Sequence, residues 1–262
     1  MKLNTSFVTL AATAAFVGSV CAQTPIDITG STAGRSAVNT QILALISGVT
    51  AAYSGGGGAL SNSNFAIYKG TFAGNPVIVR TSWSGSAAGV RDVTQQNLIN
   101  FLNTATVTVA SPATPLGSPS FVTNAPEIAF SDVFQSSTIF TSPTLVQQDQ
   151  VGVIPFKFFK NEGAPAALNN MTNQLFRNLY TILGEAPLST FTGNTADAAS
   201  TVFATGRDAG SGTRITTLAE TNTALLTPLS QYTGTVISNV ASLTPAFDPT
   251  PAFTSGSGVA AL

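Results

Sequence analysis

Histidine is absent from all 262 residues, and that one absence closes several classes of chemistry. Ser-His-Asp and Cys-His nucleophilic catalysis, zinc sites with histidine ligands and HExxH peptidase chemistry all need an imidazole. Charge is scarce as well. Ten basic and eleven acidic residues leave a net charge of −1 with no run of either sign, so the broad cationic surface that follows a nucleic-acid backbone is missing, and no nucleic-acid partner is expected. None of the four lysines (Lys2, Lys69, Lys157, Lys160) follows a glycine, so there is no GxxxxGK[ST] phosphate loop. No metal cluster or cofactor motif stands out, and none is expected. Beyond Val20 no apolar run is long enough to span a bilayer.

The single cysteine, Cys21, lies in a segment with the features of a secretory signal. Lys2 gives a positive start, Phe7 to Val20 is apolar, and Val20-Cys21-Ala22 supplies small residues for cleavage. Residues 1–22 are therefore expected to be a signal peptide and the mature chain to begin at Gln23, in the periplasm or outside the cell. A lipidated Cys21 fits less well, because Val20 is bulky for the preceding position. The exported chain would then carry no cysteine and depend on no disulfide. Hydrophobic residues make up 44% of the sequence, enough for one large domain or two lobes with proper cores.

Three segments share one plan: a short β-prone run, a Gly/Ser turn, then apolar residues at helical spacing. The first has Ile26 and Ile28, "TGSTAG", then Val38, Ile42, Leu45 and Ile46. The second has "NPVIVRTSW", "SGSAAG", then Val90, Val93, Leu98, Phe101 and Leu102. The third has "STVFAT", "GRDAGSGT", then Ile215, Leu218, Ala219, Leu225 and Leu226. Strands alternating with helices predict an α/β fold with a largely parallel sheet. "EIAFSDV" and "VGVIPFKFF" read as buried strands, and "NNMTNQLFRNLYTIL" as an amphipathic helix with Leu175, Leu179 and Ile182 on one side. "YSGGGGALSNSN" and "ASPATPLGSPS" read as loops, and beyond Leu226 no clear strand or helix is predicted.

The first four N–H groups of a helix have no internal acceptor and sit at the positive end of its dipole, so a Gly/Ser turn feeding a helix can hold an anion. Plain N-capping, worth about 1 kcal/mol, is the ordinary reading of any one such turn. Three of them, one carrying Arg207, favour an oxyanion site, because hydrogen bonds to a charged group contribute roughly 1.5–3 kcal/mol each.

The order "TGST", "GSAAGV", "FSD", "VIPFKFF", "RDAGSGT" resembles the periplasmic phosphate-binding proteins of ABC transporters, over roughly residues 26 to 220, with "RDAGSGT" the most specific element. The resemblance implies a type 2 periplasmic-binding-protein-like α/β fold: two lobes with mainly parallel sheets and a hinge, closing on phosphate held by hydrogen bonds alone. Residues 23–152 would form the first lobe and 153–262 the hinge segment and a second, incomplete lobe. Carried over by position, Thr32 and Ala33 would donate from the first helix start and Ser86 and Ala87 from the second. Asp132 matches the family's acceptor carboxylate and Arg207 the arginine that pairs with phosphate and aspartate. Ser211, Gly212 and Thr213 match the donor turn of the second lobe. Implied partners are inorganic phosphate and an ABC permease, with a monomer expected.

Asp132 beside an anion needs a reason, since two unit charges about 4 Å apart repel by about 4 kcal/mol at an effective dielectric of 20. The repulsion becomes attraction if the anion carries a proton, which phosphate keeps near neutral pH and sulfate does not. A turn-capping role for Asp132 weighs nearly as much on sequence alone. Two features depart from the family. Ala209 stands where an acidic residue is usual before the Gly-Ser-Gly turn, leaving Asp208 to orient Arg207 or Arg214, and only residues 214–262 follow that turn. Arg35, Arg80, Arg91 and Arg177 read as surface residues, Lys157 and Lys160 as pointing outward, and Trp83 and Phe130 as packing. Competing classes are a phosphatase using Asp132 or Ser86, which would lack ordinary activation of its nucleophile, and a secreted surface or matrix protein.

Overall fold

A computed structural model describes residues 23–146, 150–238, 240–254 and Val259; the expected signal peptide lies outside them. The chain is mixed α/β, built on a six-stranded sheet with order β6-β2-β3-β4-β1-β8. Its strands are β1 (Ile26–Gly30), β2 (Ser47–Ser54), β3 (Phe65–Phe72), β4 (Asn75–Ser82), β6 (Thr114–Pro115) and β8 (Ile128–Phe130). Pairings β4-β1, β1-β8 and β2-β6 are parallel, while β2-β3 and β3-β4 are antiparallel.

Period-2 alternation gives this sheet two apolar faces. Ala51, Tyr53, Ala66, Tyr68 and Val79 join Ile42 of α1 (Arg35–Leu45) and its C-cap Ile46 in one cluster with Ile28 and Trp83. Ala52 and Ile67, the alternate residues, pack with Leu102 and Val107 on the other side. Phe130 packs against the first cluster, its ring 6.4 Å from that of Trp83, so both aromatics are packing residues as expected.

The second unit departs from expectation after its turn. Helix α2 (Ser86–Gln95) stops at Gln96, whose φ of 53° is left-handed, and Asn97 donates from backbone and side chain to Asp92. Phe101 and Leu102 therefore leave the helix. They sit fully buried in β5 (Ile99–Leu102), paired antiparallel with β7 (Phe121–Asn124).

The remaining elements are shorter. Helix α3 (Asn173–Asn178) is capped by Thr172 Oγ1, which accepts from Leu175 N, and runs on as a π-helical turn over Leu179–Leu183. The buried side of this stretch is Phe176 and Leu179, with the half-buried Tyr180 stacked on Phe176 and Ile182 exposed, so the helix is rotated relative to the predicted stripe. Strands β9 (Glu185–Pro187) and β10 (Thr201–Phe203) form an antiparallel ribbon around a one-turn α4 (Ser189–Thr192). Helix α5 (Gly212–Glu220) ends before Leu225 and Leu226, because Thr221 turns the chain and Asn222 is left-handed. Two small clusters hold these pieces together: Phe176 with Leu218 and Leu229, and Leu179 with Ala186 and Ala204.

Two expectations are corrected. "VGVIPFKFF" forms no strand and is not buried: Val151, Val153 and Phe159 are each more than four-fifths exposed. A strand apolar on both sides needs a covering layer on each, and Pro155 removes a ladder donor mid-run. Conversely, a hairpin appears where none was expected, β11 (Tyr232–Ile237) with β12 (Val240–Pro245), each carrying β-branched Val and Thr.

Candidate functional site

Strands β4, β1 and β8 lie side by side and parallel, with Ile28 opposite both Thr81 and Ile128. Their carboxyl ends therefore open at one edge of the sheet, the usual place for a ligand in such sheets. The loop 31–34 leaves β1, the α2 start leaves β4, and Ser131-Asp132 leaves β8. The third Gly/Ser turn, at the start of α5, is brought to the same place by direct contacts.

Those contacts knit the tips together. Ser31 N donates to Phe130 O at 2.7 Å, and Ser31 Oγ donates to Asp132 Oδ2 at 2.9 Å. Asp132 N donates to Ser86 Oγ at 3.2 Å. Ala88 N donates to Gly210 O at 3.0 Å, tying the start of α2 to the turn before α5. Arg207 Nη2 reaches back to Thr32 Oγ1 at 3.3 Å. Gly212 lies so close to the Asp132 carboxylate that a Cβ there would fall on Oδ1, and Gly85, at φ 118°, has Gly210 O where its own Cβ would stand. The fold thus gathers Thr32, Ser86, Asp132, Arg207, Ser211 and Gly212 into one seam; Ala33, Ala87 and Thr213 flank it on the same three helix starts.

Plain capping does not explain the turns. Among the described residues no N-cap side chain caps α1, α2 or α5. Ser211, the N-cap residue of α5, is 1% exposed, yet among the described residues its Oγ has no hydrogen-bond partner, and Asp132 Oδ1, against the neighbouring Gly212, is likewise buried and unpartnered. A buried hydroxyl and a buried carboxylate oxygen without partners each cost roughly 1–3 kcal/mol. The Asp132 carboxylate ties the loop after β1 through Oδ2, which accepts from Ser31 Oγ, and its Oδ1 has no partner among the described residues.

Arg207 is 8% exposed. Burial lowers its pKa, against the fields of Asp208 and then Asp132, which raise it. Its Nη1 meets no acceptor among the described residues. Asp208 forms no ion pair with Arg207 or Arg214; its Oδ1 accepts from Gly210 N at 3.1 Å and shapes the turn. Burial raises the Asp208 pKa, opposed by Arg207, the Gly210 N–H and Arg214. Arg214 is bound instead by Asp248.

Several readings of the other residues change. Arg80 is not on the surface. It is buried at 3% exposure and holds the fully buried Asp27 through Nε at 2.6 Å and Nη2 at 2.5 Å, with Asn124 Nδ2 adding a third bond at 2.9 Å. Arg35 is half-buried and bonded to Asn64 Oδ1, and burial lowers its pKa. Arg91 stays partly exposed beside Asp92, Arg177 donates to Thr221 O, and Lys157 and Lys160 are exposed. Sequence reasoning passed over Ser31, which orients Asp132 and also accepts from Ala33 N and Gly34 N at 3.2 and 3.3 Å. Its place directly after the strand-ending Gly30 was the available signal.

An open groove along α3, lined by Gln174, Arg177, Asn178 and Thr181, includes none of the seam residues. Among the described residues no group of acidic or thiol side chains could hold a metal ion, and no helix is long and apolar enough to cross a membrane. No family model, curated protein or solved structure matches the chain.

Proposed function

We propose that this protein is an exported solute-binding protein that captures inorganic phosphate in the seam and delivers it to an ABC permease, acting as a monomer with a two-lobed type 2 binding-protein fold. One observation carries the reading: a buried acceptor, Asp132 Oδ1, and a buried donor, Ser211 Oγ, stand unpartnered at the meeting point of three uncapped helix starts beside a buried guanidinium. An anion with a proton to give and oxygens to receive completes that set. Thr32, Ser86, Ser211 and Arg207 would donate from side chains, and Ala87, Gly212 and Thr213 from the backbone; the Ala33 N–H, expected to join them, is taken instead by Ser31 Oγ at 3.2 Å. Asp132 would accept the phosphate proton through Oδ1, while Ser31 holds Oδ2. Sulfate, with no proton near neutral pH, would meet the bare carboxylate at a cost of about 4 kcal/mol at 4 Å and an effective dielectric of 20.

A thermal-shift series with phosphate, sulfate, arsenate and molybdate tests this. At a hundredfold excess over Kd, phosphate is expected to stabilise by about 2.7 kcal/mol, raising Tm by roughly 5–10 °C, with no rise from sulfate. Arg207→Ala and Asp132→Asn are each expected to weaken phosphate binding roughly ten- to hundredfold in calorimetric titration. Equal shifts with sulfate and phosphate would remove the role given to Asp132, and unchanged affinity in both variants would place the site elsewhere.

A further inference from the structure

Among the described residues Arg207 is the cation of the seam, and none of their carboxylates pairs with it. Among the described residues, its ties apart from Thr32 run to the main chain near the C-terminus: Nε donates to Phe253 O at 3.1 Å and Nη2 to Thr254 O at 2.7 Å. The segment carrying those carbonyls is itself pinned. Phe253 pairs with Arg207 in a parallel bridge, its N–H donating to Gly206 O at 3.2 Å, and Phe253 O also accepts from Asp208 N at 3.1 Å. Ala252 is buried beside it, and Gln231, 1% exposed, closes the other side of the turn with its Oε1 against Gly206.

We propose that residues 252–254 form a positioning strap for the anion site, turning the Nη1 edge of Arg207 toward the ligand. The inference rests on the phosphate-binding reading above. A free arginine side chain carries about 2 kcal/mol of rotamer entropy, and fixing its fork in advance removes that cost from binding. Holding it with neutral carbonyls has a second effect. A carboxylate partner would neutralise the guanidinium, whereas the peptide oxygens of Phe253 and Thr254 orient it and leave its charge available to the anion. The strap therefore supplies orientation without taking up the charge.

The test compares the full chain with a form lacking residues 253–262, titrating each with inorganic phosphate by calorimetry. Deletion is expected to weaken binding roughly tenfold through lost preorganisation. Phe253→Ala keeps both carbonyls and should retain affinity, while Phe253→Pro removes the N–H that pins the strap and should behave like the deletion. In an Arg207→Lys background, which keeps the charge but cannot make the paired bonds, deletion should cost little further affinity. A general structural role would instead add the same loss in both backgrounds. A ligand-independent readout is the Arg207 Nε–H resonance, expected to exchange slowly in the full chain and rapidly in the deleted form. If that resonance exchanges rapidly in the full chain, or deletion leaves phosphate affinity unchanged, the strap is overturned. If the resonance is protected as expected but the full chain binds no phosphate, the phosphate reading fails while the strap geometry stands.

Discussion

The sheet half of the molecule, residues 26–130, and the half after residue 150 bury their apolar residues in different ways. In the first, two faces of one sheet each carry a cluster, and Asp27 and Arg80 are sealed beneath them as a bidentate pair. In the second, two small clusters sit among ribbons and single turns, while Val151, Val153, Phe159, Ile182, Leu183, Leu226, Ile237 and Val240 remain exposed. The sheet half can hold itself together by burial. The other half leans on specific polar ties across the seam, Ala88 N to Gly210 O and Arg207 to Thr32, so a ligand bridging those tips should stabilise it most.

The comparison can be broken most severely in the sheet half. Asp27→Ala leaves Arg80 charged and unpaired at 3% exposure, with an expected loss of about 3–5 kcal/mol by denaturant unfolding, because stranding one partner of a buried pair is strongly destabilising. A loss below about 1 kcal/mol would mean that this region is not the stable one. Leu179→Ala, in the smaller core, is expected to cost about 2–4 kcal/mol. Hydrogen exchange should show that loss confined to residues after 170, and saturating phosphate should recover part of it. Equal loosening of β1 and β4 would show that the halves unfold as one unit.

The smallest effect sharpens the comparison by pH. Burial pushes the Asp248 carboxyl up, but the Arg214 hydrogen bonds, the Leu229 N–H and the Arg214 charge outweigh it and hold it below the usual carboxylate range. The unfolded chain therefore binds that proton first as pH falls, so the pair stabilises above the ordinary carboxylate pKa of about 3.9 and its contribution fades as pH drops through the lower folded value. Asp248→Asn should lower stability at neutral pH and converge with the parent in strong acid.

What the sequence made legible follows the same division. The change from period 2 to helical spacing across a glycine marks β1 with α1, β4 with α2, and β10 with α5, since each is dictated by near neighbours. That the helix starts share one seam follows from the parallel register of β4, β1 and β8 and from the approach of Gly210, neither of which a local pattern contains. Arg80 looked like a strand-ending surface residue because Asp27, its partner, stands 53 positions away. The carbonyls that hold Arg207 are 46 and 47 positions from it and belong to the main chain, so no residue type announces them. "VGVIPFKFF" misled for the opposite reason: hydrophobicity predicts burial only where the rest of the chain supplies a covering layer.

The parallel run β4-β1-β8 has one more consequence. Its ladder fixes where each strand stops, at Ser82, Gly30 and Phe130, and Thr32, Ser86 and Asp132 of the proposed anion site come just after those stops. Recognition and scaffold are thus separable along the chain, and a graft confined to positions 31–34, 84–87 and 131–133 could retune the preferred solute while every rung of the sheet stays as it was.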